Sequence, residues 1–220
     1  MAVAVIVSVG LIFLTSNPSK NNTANMINQF KNYFQAKIEI TDEQFDSISS
    51  TLRVKKFDKN EILQYKGDML KYGFFVGKGL LRSYSIDAKG KEHILQFAPE
   101  NWFISDRNQM HEEPSDFFIE AIEATECVIV PDNFMSEASR KVPCLLALNV
   151  TMLHNSIRFM QKRINMLLSA TAEERYLDFI KLYPSLTLRV PQWMIASYLG
   201  ITPESLSRVR KELANKHFRP

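Results

Sequence analysis

The sequence predicts an α+β protein in which an antiparallel β-roll is followed by a long dimerisation helix and a C-terminal helix-turn-helix. Three observations predict it: strand patterns separated by turns over residues 55–131, a heptad pattern over residues 146–167, and a glycine, Gly200, between two short helical patterns. With 220 residues, 45% of them hydrophobic, the chain can bury a core and is not of disordered or low-complexity type. Its two cysteines cannot form a disulfide scaffold, so we expect a reducing, cytoplasmic environment.

The first segment of the chain is apolar. Residues 2–14 carry no charge, but at about 1.5 Å per residue they span about 20 Å as a helix, less than the roughly 30 Å hydrocarbon core of a bilayer. No Lys or Arg precedes them, as a signal peptide would require. We expect residues 1–25 to be an extension outside the fold, with Met26 as the true first residue and no stable membrane association. A weak membrane anchor and a poor signal sequence are the alternatives.

Helical patterns come first in the body of the chain, and strands follow. Ile27, Phe30 and Phe34 have helical spacing, and Thr41 supplies the N-cap of a second short helix. Several short strands at near-regular spacing, separated by turns that contain glycine, then predict a small antiparallel barrel or roll. The strand patterns lie at residues 74–76, 80–86, 93–97 and 125–130.

The clearest periodicity in the chain is the heptad pattern. Seven apolar residues follow one another at alternating spacings, which predicts a helix with a coiled-coil seam. Polar residues flank this stripe, so it is narrower than the face that a helix usually buries against its own domain. Packing on the chain's own domain is the alternative, and we expect instead the interface of a two-stranded parallel homodimer. The seam residues are Leu146, Val150, Leu153, Ile157, Met160, Ile164 and Leu167.

After an amphipathic helix pattern that starts at residue 172 and is ended by Pro184, and a strand pattern over residues 186–190, the chain has the layout of a helix-turn-helix. Pro191 begins one helix, Gly200 supplies the permissive backbone of the turn, and Thr202 is the N-cap of a second helix. The residues expected on the buried side of that second helix are Leu206, Val209 and Leu213.

The second helix carries the residue types that DNA recognition needs. Arg can pair with guanine through two hydrogen bonds, a carboxylate can accept from cytosine N4, and hydroxyls and Lys hold phosphates. Residues 173–220 carry a net +3, while residues 26–172 carry −1. A solvated charged face, or a helical ion pair between Glu204 and Arg208, is the alternative. We expect this helix to bind double-stranded DNA through Glu204, Ser205, Ser207, Arg208, Arg210 and Lys211.

Taken in order, these features resemble the Crp/Fnr family of bacterial transcription regulators. The resemblance covers about Met26 to the C-terminus and is most specific over residues 195–213, where the chain is similar to regulators of Bacteroidetes-type bacteria. It implies a cyclic-nucleotide-binding-like sensor domain at 26–142, a dimerisation helix at 143–170 and a winged helix-turn-helix domain at 171–220. The roll residues that follow the family's order are Gly67, Phe75, Val76, Gly79 and Tyr84.

The resemblance also assigns roles in DNA binding. It implies that Glu204 and Arg208 contact bases, with Ser205 beside them. Thr202 falls at the capping and phosphate-contacting start of the recognition helix, and Gln192 falls near the start of the preceding helix.

The ligand site departs from the family's pattern. Members that bind cyclic AMP have a Gly-Glu pair after an aromatic-Ile step and an Arg-Ser pair shortly before an Ala, and neither pair is present here. Residues 105–126 hold seven acids against Arg107 alone, a net −6 that repels a phosphodiester. We therefore expect no cyclic AMP binding, and the effector is unknown. The corresponding region is marked by Phe103, Ser105, Asp106, Ser115 and Asp116.

Other chemistries find no support in the sequence. The family's iron-sulfur sensors need a cysteine cluster near the N-terminus, which this chain lacks, and isolated histidines such as His93 and His154 are weak evidence for haem. The acidic stretch around His111 matches no recognised metal-ligand spacing. The common nucleophile, phosphate-loop and zinc motifs are missing, so we expect no enzyme activity, cofactor or metal.

The resulting hypothesis is a cytoplasmic, homodimeric transcription regulator on a pseudo-palindromic DNA site, with RNA polymerase as a further candidate partner. A signal in the roll would act by shifting the helix-turn-helix pair about the 169–172 junction. The alternative is a sensor module that binds a small molecule or a protein, whose C-terminal unit serves assembly only.

Overall fold

Two four-stranded antiparallel sheets form the centre of the molecule. The computed structural model describes residues 18–106 and 113–217, with the backbone alone at 18–22 and 217. The strands are β1 (Arg53–Phe57), β2 (Ile62–Gln64), β3 (Tyr72–Lys78), β4 (Leu81–Ile86), β5 (Glu92–Ala98), β6 (Phe103–Ile104), β7 (Phe118–Ala121) and β8 (Thr125–Pro131). The helices are α1 (Pro18–Gln35), α2 (Asp42–Ser49), α3 (Phe134–Lys141), α4 (Cys144–Ser169), α5 (Ala172–Leu182), α6 (Leu186–Arg189), α7 (Gln192–Leu199) and α8 (Pro203–His217).

The sheets have the strand orders β1-β8-β3-β6 and β2-β7-β4-β5, and all their pairs are antiparallel. This is the roll that the strand patterns predict. Phe74, Leu81 and Ile119 are among the buried residues that fill the space between the sheets. Because these side chains alternate with outward-facing ones along each strand, each sheet also presents a second apolar face for helices to cover.

Helices α1, α2, α3 and the start of α4 cover the outer face of the first sheet. Phe30 is fully buried there, with its ring 4.9 Å from that of Phe34 and 5.0 Å from that of Phe75. Burying one such ring is worth about 1.5–3 kcal/mol. Thr41 caps α2 as predicted, in a reciprocal pair of hydrogen bonds with Gln44.

Helix α1 begins at Pro18, before the boundary expected at residue 25. Residues 18–25 are therefore helical and continuous with the packed part of α1, and the domain boundary at residue 25 stays a prediction. Met26, in the middle of that helix, is buried and lies against Gly77 of β3. The apolar run at residues 2–14 lies outside the described residues, as do Arg107 and His111.

Helices α5 to α7 cover the outer face of the second sheet, and α8 packs on α5 and α7. We call the described residues from 171 to 217 the C-terminal unit. One continuous cluster of buried residues joins Tyr84, Ile94 and Phe97 of the roll to Tyr183 and Tyr198 of this unit. The Tyr183 hydroxyl donates a hydrogen bond to the carbonyl of Phe97 at 3.2 Å. The C-terminal unit therefore shares its core with the roll.

The strand expected at residues 186–190 is wrong, because Leu186–Arg189 forms the one-turn helix α6. Leu186 and Val190 are both buried while Leu188 is 92% exposed, and a helical turn also brings positions four residues apart to one face. Between residues 172 and 217 the described chain consists of helices joined by short turns, so these residues contain no strand of the wing that the resemblance implies.

The 26-residue helix α4 runs from the roll to the C-terminal unit. Leu145 and Leu148 near its start are buried against the first sheet. No helix among the described residues is long and apolar enough to cross a membrane.

Candidate nucleic-acid interface

Helices α7 and α8 meet at a tight turn, as predicted. Gly200 ends α7 with φ +66° and ψ +34°, in the left-handed region that favours glycine. The N–H groups of Gly200 and Ile201 donate to the carbonyls of Ser197 and Ala196, at 3.1 and 3.0 Å. The small Ala196 side chain is buried, which lets the two helices approach each other closely.

The start of α8 is closed by a side chain. The Thr202 hydroxyl accepts a hydrogen bond from the backbone N–H of Ser205 at 3.2 Å and lies 3.2 Å from the Ser205 hydroxyl. Hydrogen bonds from its own backbone N–H and from Thr202 hold the pKa of Glu204 below its usual value. Glu204 is therefore ionised at the N-terminus of α8, where a negative charge is favourable.

The cations of α8 face solvent. Arg208, Arg210 and Lys211 are exposed, and none of them forms an ion pair with a described residue. Glu204 and Arg208 in particular are not paired, so the helical ion pair considered above is not formed. Lys216 differs, because it binds Glu173 of α5 at 2.7 Å.

The buried stripe of α8 holds that surface outward. Leu206 and Val209 are buried and Leu213 is partly buried, as predicted. Ser207 is exposed beside Arg208, and Ser205 is half-buried. Gln192 is exposed at the first position of α7. Six of the candidate DNA-binding residues thus share α8, while Thr202 precedes that helix and Gln192 lies on the neighbouring one.

The apolar seam of α4 is exposed in the single chain. All seven seam residues are between 38% and 61% exposed, although they form a continuous apolar stripe. Water-facing stripes of this kind on a helix are typical of an interface with another molecule. The opposite side of α4 packs on the roll through Leu145 and Leu148 and contacts α7 through Arg163.

Two of the residues that the resemblance places at the family's ligand site, Phe103 and Ser115, make contacts inside the protein. The Ser115 hydroxyl is buried, accepts from Gln64 Nε2 at 2.6 Å and donates to the Phe117 carbonyl at 2.8 Å. Phe103 packs on Phe75 with a centroid distance of 5.0 Å. Ser105 lies against Gly73, Asp106 is buried and Asp116 is exposed.

A buried arginine does occur in the roll, but it faces the C-terminal unit. Arg82 of β4 is 4% exposed and bonds Glu92 at 2.5 Å and Glu120 at 2.6 Å. Its guanidinium lies 4.1 Å from the ring centroid of Tyr84 and 5.4 Å from that of Trp193 in α7. Burial raises the pKa of Tyr84 to about 12, and the charge of Glu120 adds to the rise. Because two carboxylates already bind this guanidinium and neutralise its charge, it is not available to bind a phosphate.

The sequence pattern does not predict several polar contacts between the roll and the C-terminal unit. Arg189 of α6 bonds Glu100 at 2.9 Å, Glu123 at 2.5 Å and the Gly79 carbonyl at 3.0 Å. It lies in the segment that alternates like a strand, so its partners depend on the unexpected helix α6.

Comparison with known proteins gives one consistent result. Residues 54–141 match the family model described as a cyclic nucleotide-binding domain. The chain is 29% identical over 178 residues to electron transport regulator A of Shewanella oneidensis, covering 76% of this chain and 70% of that protein. It is 26% identical over 184 residues to the transcriptional activator protein anr of Pseudomonas aeruginosa, covering 78% and 75%.

The fold is also that of solved structures. FixK2 from Bradyrhizobium japonicum superposes with a TM-score of 0.65 at 21% identity, over 76% of this chain and 86% of that one. The similarity of residues 195–213 to Bacteroidetes-type regulators stays a prediction. The roll, the long helix, the helix-turn-helix and the named relatives agree: residues 54–141 form a cyclic nucleotide-binding domain, and most of the chain is similar to transcription regulators of the Crp/Fnr family.

Proposed function

We propose that this regulator acts as a homodimer that binds a pseudo-palindromic site in double-stranded DNA through α8, without responding to cyclic AMP. One observation carries the proposal: Arg208, Arg210 and Lys211 are exposed on the second helix of a helix-turn-helix and have no ion-pair partner among the described residues. Cations left free on a helix that fits the major groove are what base and phosphate contacts require.

The residue roles follow from position on the helices. Glu204 and Arg208, one turn apart near the start of α8, are proposed to contact base edges, because the N-terminal part of a recognition helix lies deepest in the groove. Ser205 lies beside them. Thr202, Ser207, Arg210, Lys211 and Gln192 are proposed to hold phosphates.

Dimerisation is proposed to use the exposed seam of α4. A second copy of the chain would bury the seam, because the same apolar residues meet across a two-fold axis in a parallel coiled coil. Two copies joined in this way would present two α8 helices about one DNA turn, roughly 34 Å, apart. The second copy thus supplies the second half-site contact that one chain cannot make.

Cyclic AMP does not fit the observed charges. The Ser115 hydroxyl is occupied inside the protein, and Arg82 is bound to two carboxylates under Trp193. The cleft of about 740 Å³ between α1, β6 and α4 has Lys37 as the only charged residue among its described lining residues. Lys37 is exposed, with its ammonium over the Tyr33 ring at 4.2 Å, and is not a buried phosphate anchor.

The cellular setting follows from the same proposal. A regulator of this kind works where chromosomal DNA lies, so we propose a cytoplasmic location, with RNA polymerase as a further partner. The relatives named above are regulatory proteins, and we propose that this chain likewise has no catalytic role.

Binding to random duplex DNA at several salt concentrations tests the proposal. We expect measurable affinity whose logarithm falls linearly with log[salt], with a slope of about −0.9 per phosphate neutralised. The matched control is a variant with Arg208→Ala, Arg210→Ala and Lys211→Ala, which should have a shallower slope. A wild-type chain that shows no salt-dependent DNA binding would instead support the alternative, in which the C-terminal unit serves assembly.

A further inference from the structure

All four carbonyl groups in the last turn of α7 accept hydrogen bonds from identified donors. The last four carbonyls of an α-helix have no partner within the helix. In α7 the first two, Ala196 and Ser197, accept from the N–H groups of the turn. The other two accept from arginine side chains that belong to neither helix of the helix-turn-helix.

Those arginines come from the helices that precede the unit. Arg163 of α4 donates to the Tyr198 carbonyl at 3.0 Å, and Arg175 of α5 donates to the Leu199 carbonyl at 2.8 Å. A positive charge at the C-terminus of a helix also interacts favourably with the helix dipole. Both guanidinium groups thus hold the end of α7 immediately before the turn that leads to α8.

Arg163 connects three parts of the molecule. The same Nη2 that bonds Tyr198 also donates to the carbonyl of Ile94 in β5, at 3.1 Å, and the guanidinium lies 3.6 Å from the centroid of the Tyr198 ring. A single side chain of α4 therefore touches the roll and the helix-turn-helix at once. Its planar fork and its stacking contact are features that lysine cannot reproduce in full.

Arg175 keeps its position at a cost. Its Nε is buried and has no hydrogen-bond partner among the described residues, which destabilises the folded chain. Local costs of this kind are concentrated where function constrains a residue. A Cβ added to Gly200 would lie 3.4 Å from Arg175 Nη1 and 3.2 Å from Cδ2 of the seam residue Leu167. The turn, α5 and the end of the dimer seam therefore meet at one point.

From these contacts we propose that Arg163 and Arg175 are positioning residues for DNA recognition, which fix α7, and through it α8, to the dimer helix α4. This inference rests on the proposed function. If two copies pair through α4, the separation of their recognition helices depends on how rigidly each α7 is held to that helix. The two arginines thereby set the half-site spacing that the dimer accepts, although neither contacts DNA.

The test is a spacing series. Wild-type protein first selects a duplex from a random library, and duplexes are then made with the same half-sites but one or two base pairs added or removed between them, about 3.4 Å each. Wild type should show a sharp optimum. Arg163→Ala and Arg175→Ala should each lose about tenfold in affinity at that optimum, with affinity for the altered spacers and for random duplex unchanged.

Two further sets of variants serve as controls for the spacing series. Arg163→Lys and Arg175→Lys keep a charged donor and should retain part of the spacing preference. Arg140→Ala, in α3 and exposed, should behave as wild type. Sedimentation and thermal melting establish whether each variant is a folded dimer. If an alanine variant unfolds, the spacing preference of the corresponding lysine variant decides the test instead.

The outcomes separate the inference from the proposed function. Loss of affinity in the same proportion for every spacer and for random DNA, or an unchanged spacing preference, overturns the positioning role. If wild type enriches no sequence at all, the proposed function fails, and the positioning role fails with it.

Discussion

The Ser197 hydroxyl accepts a hydrogen bond from the backbone N–H of Ile94 at 3.0 Å, joining the first helix of the helix-turn-helix to strand β5. The same hydroxyl donates to the Glu92 carbonyl at 3.0 Å. Strand β5 is at the edge of its sheet, so α7 occupies backbone groups that would otherwise face solvent. A simple swing about residues 169–172, as expected from sequence, would have to break these bonds and separate the shared core.

Replacing Arg208 tests base recognition. Arg208→Ala should cost about 1–3 kcal/mol in affinity for the selected site and relax the preference at one base position of each half-site. Competition binding against a panel of single-base variants of the site measures both effects. Equal weakening on all sequences would mean that Arg208 holds a phosphate.

Lys211 provides the contrasting case. Lys211→Ala should weaken binding to all sequences alike and reduce the salt slope by about 1, since a proposed phosphate contact carries no base preference. Binding to the selected duplex and to random duplex over a salt series gives this result. A change of base preference would place Lys211 among the base-contacting residues.

A charge in the seam should separate the dimer. Ile157→Glu brings two carboxylates together on the two-fold axis, and like charges at an interface cost several kcal/mol. We expect sedimentation equilibrium to show a monomer at concentrations at which wild type is a dimer. Asn155→Glu, exposed on the same helix but outside the seam, is the matched control and should stay dimeric. A dimeric Ile157→Glu protein would mean that the seam lies elsewhere.

Cyclic AMP should not bind. Calorimetric titration is expected to give no affinity tighter than about 1 mM, because Arg82, the buried arginine of the roll, is already bound to two carboxylates. A parallel titration with 5′-AMP accounts for general phosphate binding. Micromolar affinity for cyclic AMP alone would contradict the proposal.

Two glycines with similar backbone angles should respond differently to alanine. Gly79 has φ +97°, and an added Cβ would lie 2.7 Å from Thr125 Cα and 2.8 Å from the Ala124 carbonyl oxygen. Gly90 has φ +79° with no atom within 4 Å of its added Cβ. Urea denaturation should show a loss of about 1–2 kcal/mol for Gly90→Ala, from backbone strain alone. Gly79→Ala should lose at least about 1 kcal/mol more, from overpacking; equal losses would contradict the close packing of Gly79 against the Ala124–Thr125 backbone.

How much of this molecule the sequence predicts depends on whether a residue's partners are local. The Thr41 and Thr202 caps, the left-handed Gly200 and the helix that carries the heptad pattern are predictable, because each depends on local sequence. The strand prediction for residues 186–190 fails because alternation over five residues also fits one helical turn. The contacts of Arg163, Arg175 and Ser197 escape prediction because their partners are 24 or more residues away, and no local pattern marks them.

The cluster that joins the roll to the C-terminal unit has a consequence for protein engineering. Tyr183 and Phe179 are each 1% exposed, and both pack on Phe97 of the roll. A fragment that begins at residue 171 would expose these rings to water as a hydrophobic patch that favours aggregation. The C-terminal unit is thus not an independent module: a chimera that joins it to a foreign sensor must carry a matching replacement for the surface around Phe97.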